Sequence, residues 1–462
     1  MKSEQFTQNL KTQIERLRRV FDKGDTRPIE WRMEKLKALK AFLSEKEDEI
    51  NQALWIDLRK SAFESAVTEQ GLVMSEIDFA LDHLAEWLKV EKVSTPLINQ
   101  PGHCEIRREP YGLVLIIGAW NYPINLTLAP LVGAIAGGNV CLVKPSEIAT
   151  ETSALLAKHL PEYLGPDFIA VIEGGVDETQ TVLDQDLDFI FFTGSSKVGK
   201  IVMARACEHL TPVVLELGGK SPAIVLDDAS LEVAARRIAW GKFMNAGQTC
   251  IAPDYVLVSA DLKDRLIAEI HKSVKIFYGD DAEQSPDYCR IVNSRNFDRL
   301  MSFMGDGVVE FGGTGKSSER YIAPTLLSRV SPESTIMQEE IFGPILPILT
   351  IADADEAICF VKKRPKPLAL YLFTQSQSAI EKVVTETSSG GVCINDVVMH
   401  MPVAGLPFGG VGASGMGNYH GRRSFETFTH SKGILSKGTW PDFSIRYPPY
   451  NDDHIKWLNI VR

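Results

Sequence analysis

Two residues in this 462-residue chain have types and settings suited to covalent chemistry at a carbonyl. Cys250 ends the run Phe243-Met244-Asn245-Ala246-Gly247-Gln248-Thr249-Cys250. Glu216, 34 residues earlier, opens Glu216-Leu217-Gly218-Gly219-Lys220-Ser221-Pro222. A thiolate attacks an electrophilic carbon, and the adduct then needs a general base to bring in a second nucleophile. Cys and Glu supply those two steps. The other reading of such a pair is a buried structural thiol and a satisfied core carboxylate, and the two residues alone leave both readings open.

A second kind of chemistry is anion binding. The run from Phe189 to Gly199 reads as a strand, a turn through Gly194, Ser195 and Ser196, and a helix start past Gly199. Exposed amides and the positive dipole end favour phosphate at such a helix N-terminus, although the G-x-x-x-x-G spacing departs from the usual dinucleotide fingerprint. The literal G-x-G-x-x-G lies elsewhere, at Gly410-Val411-Gly412-Ala413-Ser414-Gly415. No clear strand enters it and a poor helix follows, so it reads as a structural loop. Lys144 and Glu147 flank Pro145 at another strand end, where surface charge and ligand contact are both open. His400 and His420 have no partner pattern and read as structural.

These segments resemble those of the aldehyde dehydrogenase superfamily, in its order along the chain. The E-L-G-G-K-S-P and G-Q-x-C blocks are joined by Gly118-Ala119-Trp120-Asn121-Tyr122-Pro123, Lys144-Pro145-Ser146-Glu147, Phe192-Thr193-Gly194-Ser195, Glu339-Glu340-Ile341-Phe342-Gly343-Pro344 and Pro407-Phe408-Gly409-Gly410. The wording is most similar to the class 3 branch, which handles fatty and aromatic aldehydes. The resemblance implies NAD-dependent oxidation of an aldehyde to the acid, with NADP also possible and no metal required. It makes Cys250 the nucleophile, Glu216 the base that activates water against a thioester, and the Asn121 side chain with the Cys250 amide the oxyanion donors. It sets the turn of Gly194, Ser195, Ser196 and Gly199 against the cofactor pyrophosphate, Lys144 and Glu147 at the adenosine ribose, and Glu340 and Phe342 at the nicotinamide ribose and ring. Tyr122, Trp240 and Thr249 adjoin these motifs and are candidates for the substrate pocket. The alternatives are an acylating relative that uses coenzyme A, which commonly lacks the glutamate, and a catalytically silent relative. Glu216 favours hydrolysis over the first, and Cys250, Glu216 and Asn121 together argue against the second.

The elements that must position these residues follow from periodicity. Apolar residues three to five apart (Phe6, Leu10, Ile14, Leu17, Phe21, then Ile29, Met33, Leu36, Leu39, Leu43) mark amphipathic helices at the N-terminus. From Gly112 short apolar runs alternate with helical stretches: Leu113–Ala119, Val140–Val143, Phe168–Ile172, Phe189–Phe192 and Val213–Leu215. This predicts an α/β fold with a doubly wound, Rossmann-like parallel sheet. Asn121, Lys144, Gly194 and Glu216 each follow a strand, so they fall on the carboxyl edge where such sheets bind ligands. A second α/β region runs from Ser221 to about Cys393, and its helix Leu231–Phe243 delivers Cys250 in the loop beyond. The division expected is a cofactor-binding domain over 1–216, a catalytic domain over 217–395, and an active-site loop, arm and tail over 396–462. Part of a small oligomerisation arm falls within about 90–110, and the resemblance implies a homodimer.

Composition narrows the class. With 44% hydrophobic and 24% charged residues the chain can bury a large core, and a net charge of −11 offers no basic footprint for nucleic acid. Seven scattered cysteines form no C-x-x-C pair or metal-ligand spacing, which suits a reducing, cytoplasmic setting. The polar first ten residues lack a signal-peptide core. The apolar stretch from Leu126 to Val143 is broken by Pro130, Gly137, Gly138 and Asn139, and reads as helix, turn and strand. Trp440 to Arg462 is too polar for the membrane tail of some class 3 relatives, so no membrane anchor is expected.

Overall fold

The computed structural model describes residues 2–461, with side chains from 4 to 456. Helices α1 (Lys2–Lys23), α2 (Ile29–Glu45), α3 (Glu47–Leu58), α4 (Ala62–Ser65) and α5 (Gly71–Trp87) come first. Their periodic apolar residues, among them Leu10, Leu17, Leu36, Leu39 and Leu43, are buried as the spacing requires. A π-helical turn, Ala66–Gln70, joins α4 to α5. Strands β1 (Glu91–Val93) and β2 (Gly102–Pro110) then pair antiparallel and leave the main body.

The first large sheet begins with β3 (Leu113–Ile117), helix α6 (Asn125–Gly137) and β4 (Val140–Lys144). Both strands are buried at every position, as continuous apolar runs covered on two faces must be. Helix α6 is buried along its whole length and stops at Gly138 with φ +85°, where a Cβ would sit 2.7 Å from the Arg32 guanidinium. The segment from Leu126 to Val143 is therefore helix, turn and strand inside the core. There follow α7 (Thr150–Leu164), β5 (Ile169–Val171), α8 (Val176–Leu183), β6 (Phe189–Thr193), α9 (Ser196–His209) and β7 (Val213–Glu216). The strand order is β7-β6-β3-β4-β5, all parallel. The winding reverses between β3 and β6, which opens a crevice at their carboxyl ends.

The second sheet takes β8 (Pro222–Val225), helix α10 (Leu231–Phe243), β9 (Tyr255–Ser259) and β10 (Val308–Phe311). After a small hairpin of β11 (Gly315–Lys316) and β12 (Tyr321–Ile322), it adds β13 (Thr325–Ser328), β14 (Ile345–Ile351), β15 (Ala369–Phe373) and β16 (Gly391–Ile394). Its order is β10-β13-β14-β9-β8-β15-β16, parallel except for the edge strand β10. The chain then returns to the first sheet as β17 (Gly415–Met416), antiparallel to β7, and ends its sheets with β18 (Thr429–Lys437) laid along β2.

The strand ends differ from the sequence reading by one or two residues. The strand expected to reach Ala119 stops at Ile117, because at Gly118 the chain passes so near α6 that a Cβ would stand 2.1 Å from Thr127 Oγ1. Lys144 and Glu216, expected just beyond strands, are the last residues of β4 and β7. Among the described residues, no helix is long and apolar enough to cross a membrane, and no group of three or more His, Cys, Asp or Glu is placed to hold a metal ion.

Candidate active site

Cys250 is carried by a loop that runs against ordinary backbone preference. After α10, Asn245, Ala246 and Gly247 all take the left-handed conformation, with φ of +51°, +51° and +73°. Non-glycine residues held there cost on the order of 1–3 kcal/mol each unless the surroundings fix them. Here the surroundings do. Asn245 N–H donates to Glu64 Oε1 (2.9 Å), and Asn245 Nδ2 donates to the Asn121 carbonyl (2.8 Å) and the Gln248 carbonyl (3.2 Å). Gln248 Nε2 donates to the Asn245 and Arg290 carbonyls, while its Oε1 accepts from Val292 N–H. At Gly247 a Cβ would lie 2.2 Å from the Gly343 carbonyl oxygen, so only glycine lets the Cys250 loop rest on the Glu340–Gly343 segment.

Asn121 is drawn to the same place. Its side-chain Nδ2 donates to the Gln248 carbonyl at 3.1 Å, two residues before Cys250 in the chain. A primary amide has two N–H groups, so the bond to Gln248 leaves its second N–H unspent. The Cys250 and Ile251 backbone N–H groups also bond the sulfur and pull its pKa down. Glu216 ends β7 with its side chain buried and neither carboxylate oxygen hydrogen-bonded among the described residues.

The electrostatics of the three acidic groups follow from that enclosure. Burial pushes the Cys250 thiol up to about 12, and Glu340 and then Glu216 add to the rise. Burial alone puts Glu216 well above the usual carboxylate range. Glu340 is raised to about 8 by burial and by Asp254. Removing water disfavours each charged form, which keeps the Cys250 thiol protonated at neutral pH and moves both carboxyl groups toward their neutral form. A carboxyl group tuned in this way is a stronger base once ionised than one free in water.

A cleft of about 660 Å³ opens between the two sheets, lined by Ser196, Gly218, Gly219, Lys220, Glu340 and Ala413 among others. The N-terminus of α9 faces it, capped by Ser195, whose Oγ accepts from Val198 N–H at 3.4 Å. Gly199 lets this helix pack on Leu217, where a Cβ would be 2.8 Å from Leu217 Cδ2. Gly218 makes room for Glu340, whose Oε2 lies 2.0 Å from where a Cβ would project. Glu340 Oε1 is buried and unpartnered among the described residues. At the end of β4, Lys144 is buried and its Nζ donates to the Glu147 carboxylate at 3.0 Å, with Glu147 about half exposed. Phe342 meets Trp120 edge to face at 5.3 Å. A helix N-terminus, glycines where the chain must be bare, an unmet carboxylate oxygen and a Lys–Glu pair along one crevice fit a dinucleotide.

The structure thus brings Asn121, through its bond to the Gln248 carbonyl, and Glu216 and Glu340, through their charge, onto Cys250, with Phe342 packed on Trp120. Glu340 and Ser196 line the cleft, Gly194, Ser195 and Gly199 belong to the same turn and first helical turn as Ser196, and Lys144 and Glu147 stand at a neighbouring strand end. Of the pocket candidates, Tyr122 and Thr249 are buried and satisfy each other through a 2.6 Å hydroxyl contact, and Trp240 on α10 is partly buried against the core. The glycine-rich 410–415 loop borders the site, as Leu217 N–H donates to the Ser414 carbonyl and Ser196 Oγ to the Ala413 carbonyl. His420 is buried with Nδ1 2.8 Å from Glu76, while His400 is pushed down to about 4 by burial. Sequence reasoning missed several supports. Lys220 bonds Asp254 and the Ile336 and Glu339 carbonyls, and Asp254 accepts from Ile341 N–H, so the two fix the Glu340 segment. Lys220 stood inside a quoted motif, but Asp254 carried no local signal.

Comparison with known proteins gives one answer. The model of the aldehyde dehydrogenase family matches residues 4–434. Aldehyde dehydrogenase family 3 member A2 of Mus musculus is 49% identical over 97% of this chain and 93% of its own. The mouse protein called aldehyde dehydrogenase, dimeric NADP-preferring, is 49% identical over 96% of this chain and 98% of its own. The substrate-bound state of Staphylococcus aureus AldH superposes with a TM-score of 0.95 at 46% identity, over 98% of this chain and 99% of that one.

Proposed function

Because this chain belongs to the aldehyde dehydrogenase family, and so oxidises aldehydes with NAD(P), we propose that it converts medium- or long-chain aliphatic or aromatic aldehydes to carboxylic acids through a thioester on Cys250. The observation that carries this reading is the convergence of the Cys250 loop, the Asn121 amide that bonds it and the unpartnered Glu216 carboxyl whose charge acts on the Cys250 thiol.

The Cys250 thiol loses its proton to solvent water, the thiolate bonds the aldehyde carbon, and the electron pair of the broken C=O π bond moves to the carbonyl oxygen, which becomes an oxyanion. The free N–H of Asn121 and the Cys250 amide receive that charge; one such donor is typically worth about 10² to 10³ in rate. When bound, the nicotinamide supplies the acceptor for the hydride that leaves the same carbon, which turns the adduct into a thioester. Glu216 then takes a proton from water as the water oxygen attacks the thioester carbon. The C–S bond breaks, the acid departs, and the leaving thiolate takes back the proton held by Glu216, which restores the thiol and the ionised carboxylate. Glu340 and Phe342 would hold the nicotinamide end, the α9 N-terminus the pyrophosphate, and Lys144 with Glu147 the adenosine ribose. Glu216 sets this hydrolytic route apart from transfer to coenzyme A.

The arm of β1, β2 and β18 stands apart from both large sheets with β1 exposed along its length, and we assign it to the contact between two copies in a homodimer. Seven cysteines without a disulfide suit a reducing, cytoplasmic setting. The test of function is a steady-state screen of aliphatic chain lengths against benzaldehyde- and cinnamaldehyde-type substrates, with NAD and NADP and no coenzyme A. Formation of free acid with one equivalent of reduced cofactor is expected, whereas a requirement for coenzyme A would overturn it.

A further inference from the structure

The residues that hold Asn121 in place come from a segment that no motif marks, the junction between α3 and α5. Lys60 and Glu69 form a fully buried ion pair at 2.6 Å. Among the described residues, every other side-chain hydrogen bond of the pair ends on the stretch that carries Asn121. Lys60 Nζ donates to the Asn121 carbonyl (3.2 Å) and sits 4.0 Å from the centre of the Tyr122 ring. Glu69 Oε2 accepts from Ile124 N–H (3.1 Å) and Asn125 N–H (2.9 Å), the open end of α6.

A second carboxylate on the same junction reaches the other half of the site. Glu64 accepts the Asn245 N–H that fixes the left-handed start of the Cys250 loop, and the Cys289 thiol lies 3.7 Å from it. In an α-helix, side chains five residues apart point about 140° away from each other. The π turn at Ala66–Gln70 closes through hydrogen bonds five residues apart and swings Glu64 and Glu69 toward one face. Gly71 N–H donates to the Ala66 carbonyl to close that turn, and a Cβ on Gly71 would lie 2.5 Å from the same oxygen. A fully buried ion pair is weak grounds for stability, since apolar replacements of similar volume are often as stable. Its geometric effect is direct: it ties three backbone groups between Asn121 and Asn125 to one rigid point.

We propose that Lys60 and Glu69 are positioning residues for aldehyde oxidation, holding the Asn121–Asn125 backbone so that the Asn121 amide meets the oxyanion formed on Cys250. This rests on the reading of Asn121 as an oxyanion donor.

The test is a double-mutant cycle on the first-turnover burst of reduced nicotinamide, using Glu69→Gln, Asn121→Ala and both together. Asn121→Ala is expected to slow the burst by about 10² to 10³. Glu69→Gln is expected to slow it about tenfold in the wild-type background, the scale of a small misplacement, and less than about twofold once Asn121 is gone. Alkylation of Cys250 by iodoacetamide should stay at the wild-type rate throughout. Because Glu69→Gln leaves Lys60 unpaired, Lys60→Met/Glu69→Gln is measured alongside and takes its place in the cycle if the single variant does not fold. Multiplying effects of Glu69→Gln and Asn121→Ala would overturn the positioning role and leave the oxyanion reading intact. So would a pair variant with a wild-type burst, or alkylation that falls in parallel with the burst. An unchanged burst in Asn121→Ala alone would instead overturn the oxyanion reading.

Discussion

Glu216→Gln separates the two half-reactions, and the structure sets the size of each effect. Neither carboxylate oxygen has a hydrogen-bond partner among the described residues, so the amide breaks no bond and brings N–H donors that find none. Unmet buried donors cost about 1–3 kcal/mol, within the stability of a typical domain, so the variant folds. General-base catalysis contributes about 10² to 10⁴ in rate, or roughly 3–5 kcal/mol of barrier. Steady turnover should fall by that factor while the first acylation, which makes no use of Glu216, still releases reduced cofactor. Stopped-flow absorbance should therefore show a burst of about one equivalent per chain and then a nearly flat line. Undiminished multiple turnover would refute Glu216 as the base and turn attention to Glu340. The same variant tests the electrostatics. Burial raises the folded Glu216 pKa well above its unfolded value, so the folded protein keeps a proton that the unfolded chain loses near pH 4. That stabilisation is complete below the unfolded pKa and is lost as pH rises through the folded one. Thermal melts should show Glu216→Gln gaining Tm relative to wild type as pH rises above about 5, and a constant difference would contradict the burial argument.

Three further outcomes follow from the same geometry. Without cofactor, iodoacetamide should alkylate Cys250 about tenfold faster per pH unit up to at least about pH 9, because burial, Glu340 and Glu216 hold the thiol near 12; a plateau below about pH 8 would contradict this. Glu147→Gln should move the kcat/KM ratio toward NADP, since Glu147 accepts hydrogen bonds from a ribose 2′-hydroxyl and repels a 2′-phosphate, while Lys144 at 3.0 Å remains as a countercharge. An unmoved ratio would show that Glu147 does not set the choice. Light scattering behind a sizing column should give a homodimer, and deleting the exposed β1 edge should shift it toward monomer; a clean tetramer would count against the class 3 arrangement.

The parts of this molecule that could be read from sequence are those whose physical signal is local. Continuous apolar runs such as Leu113–Ile117 and Val140–Val143 announce doubly covered strands, and residues at their carboxyl ends fall on one edge by topology alone. Asn121, Glu216 and Cys250 lie in three motifs far apart in the chain, yet each motif is short and self-contained. Strand ends were misjudged where a distant contact decides them, as Thr127 does at Gly118. The supporting layer was hidden for the same reason. Lys60 and Glu69 belong to no motif and carry no local signal of burial, and the π turn and the packing of α6 bring them inside. The left-handed Asn245 and Ala246 were likewise illegible, because neither type advertises a positive φ and the constraint comes from Glu64 and Asn121. The literal G-x-G-x-x-G, by contrast, is a β17 turn against Glu216 and shows how a pattern without its flanking strand and helix misleads.

The central claim is that the acyl group passes through Cys250, and acid quenching of Glu216→Gln within the burst, followed by peptide mass mapping, tests it most directly. With an aldehyde and NAD present, one acyl group per chain should appear on the Cys250 peptide, matched by one reduced cofactor, and both should be absent from Cys250→Ala. An acyl group on Cys289 or any other residue, or a full burst with Cys250 unmodified, would contradict the account.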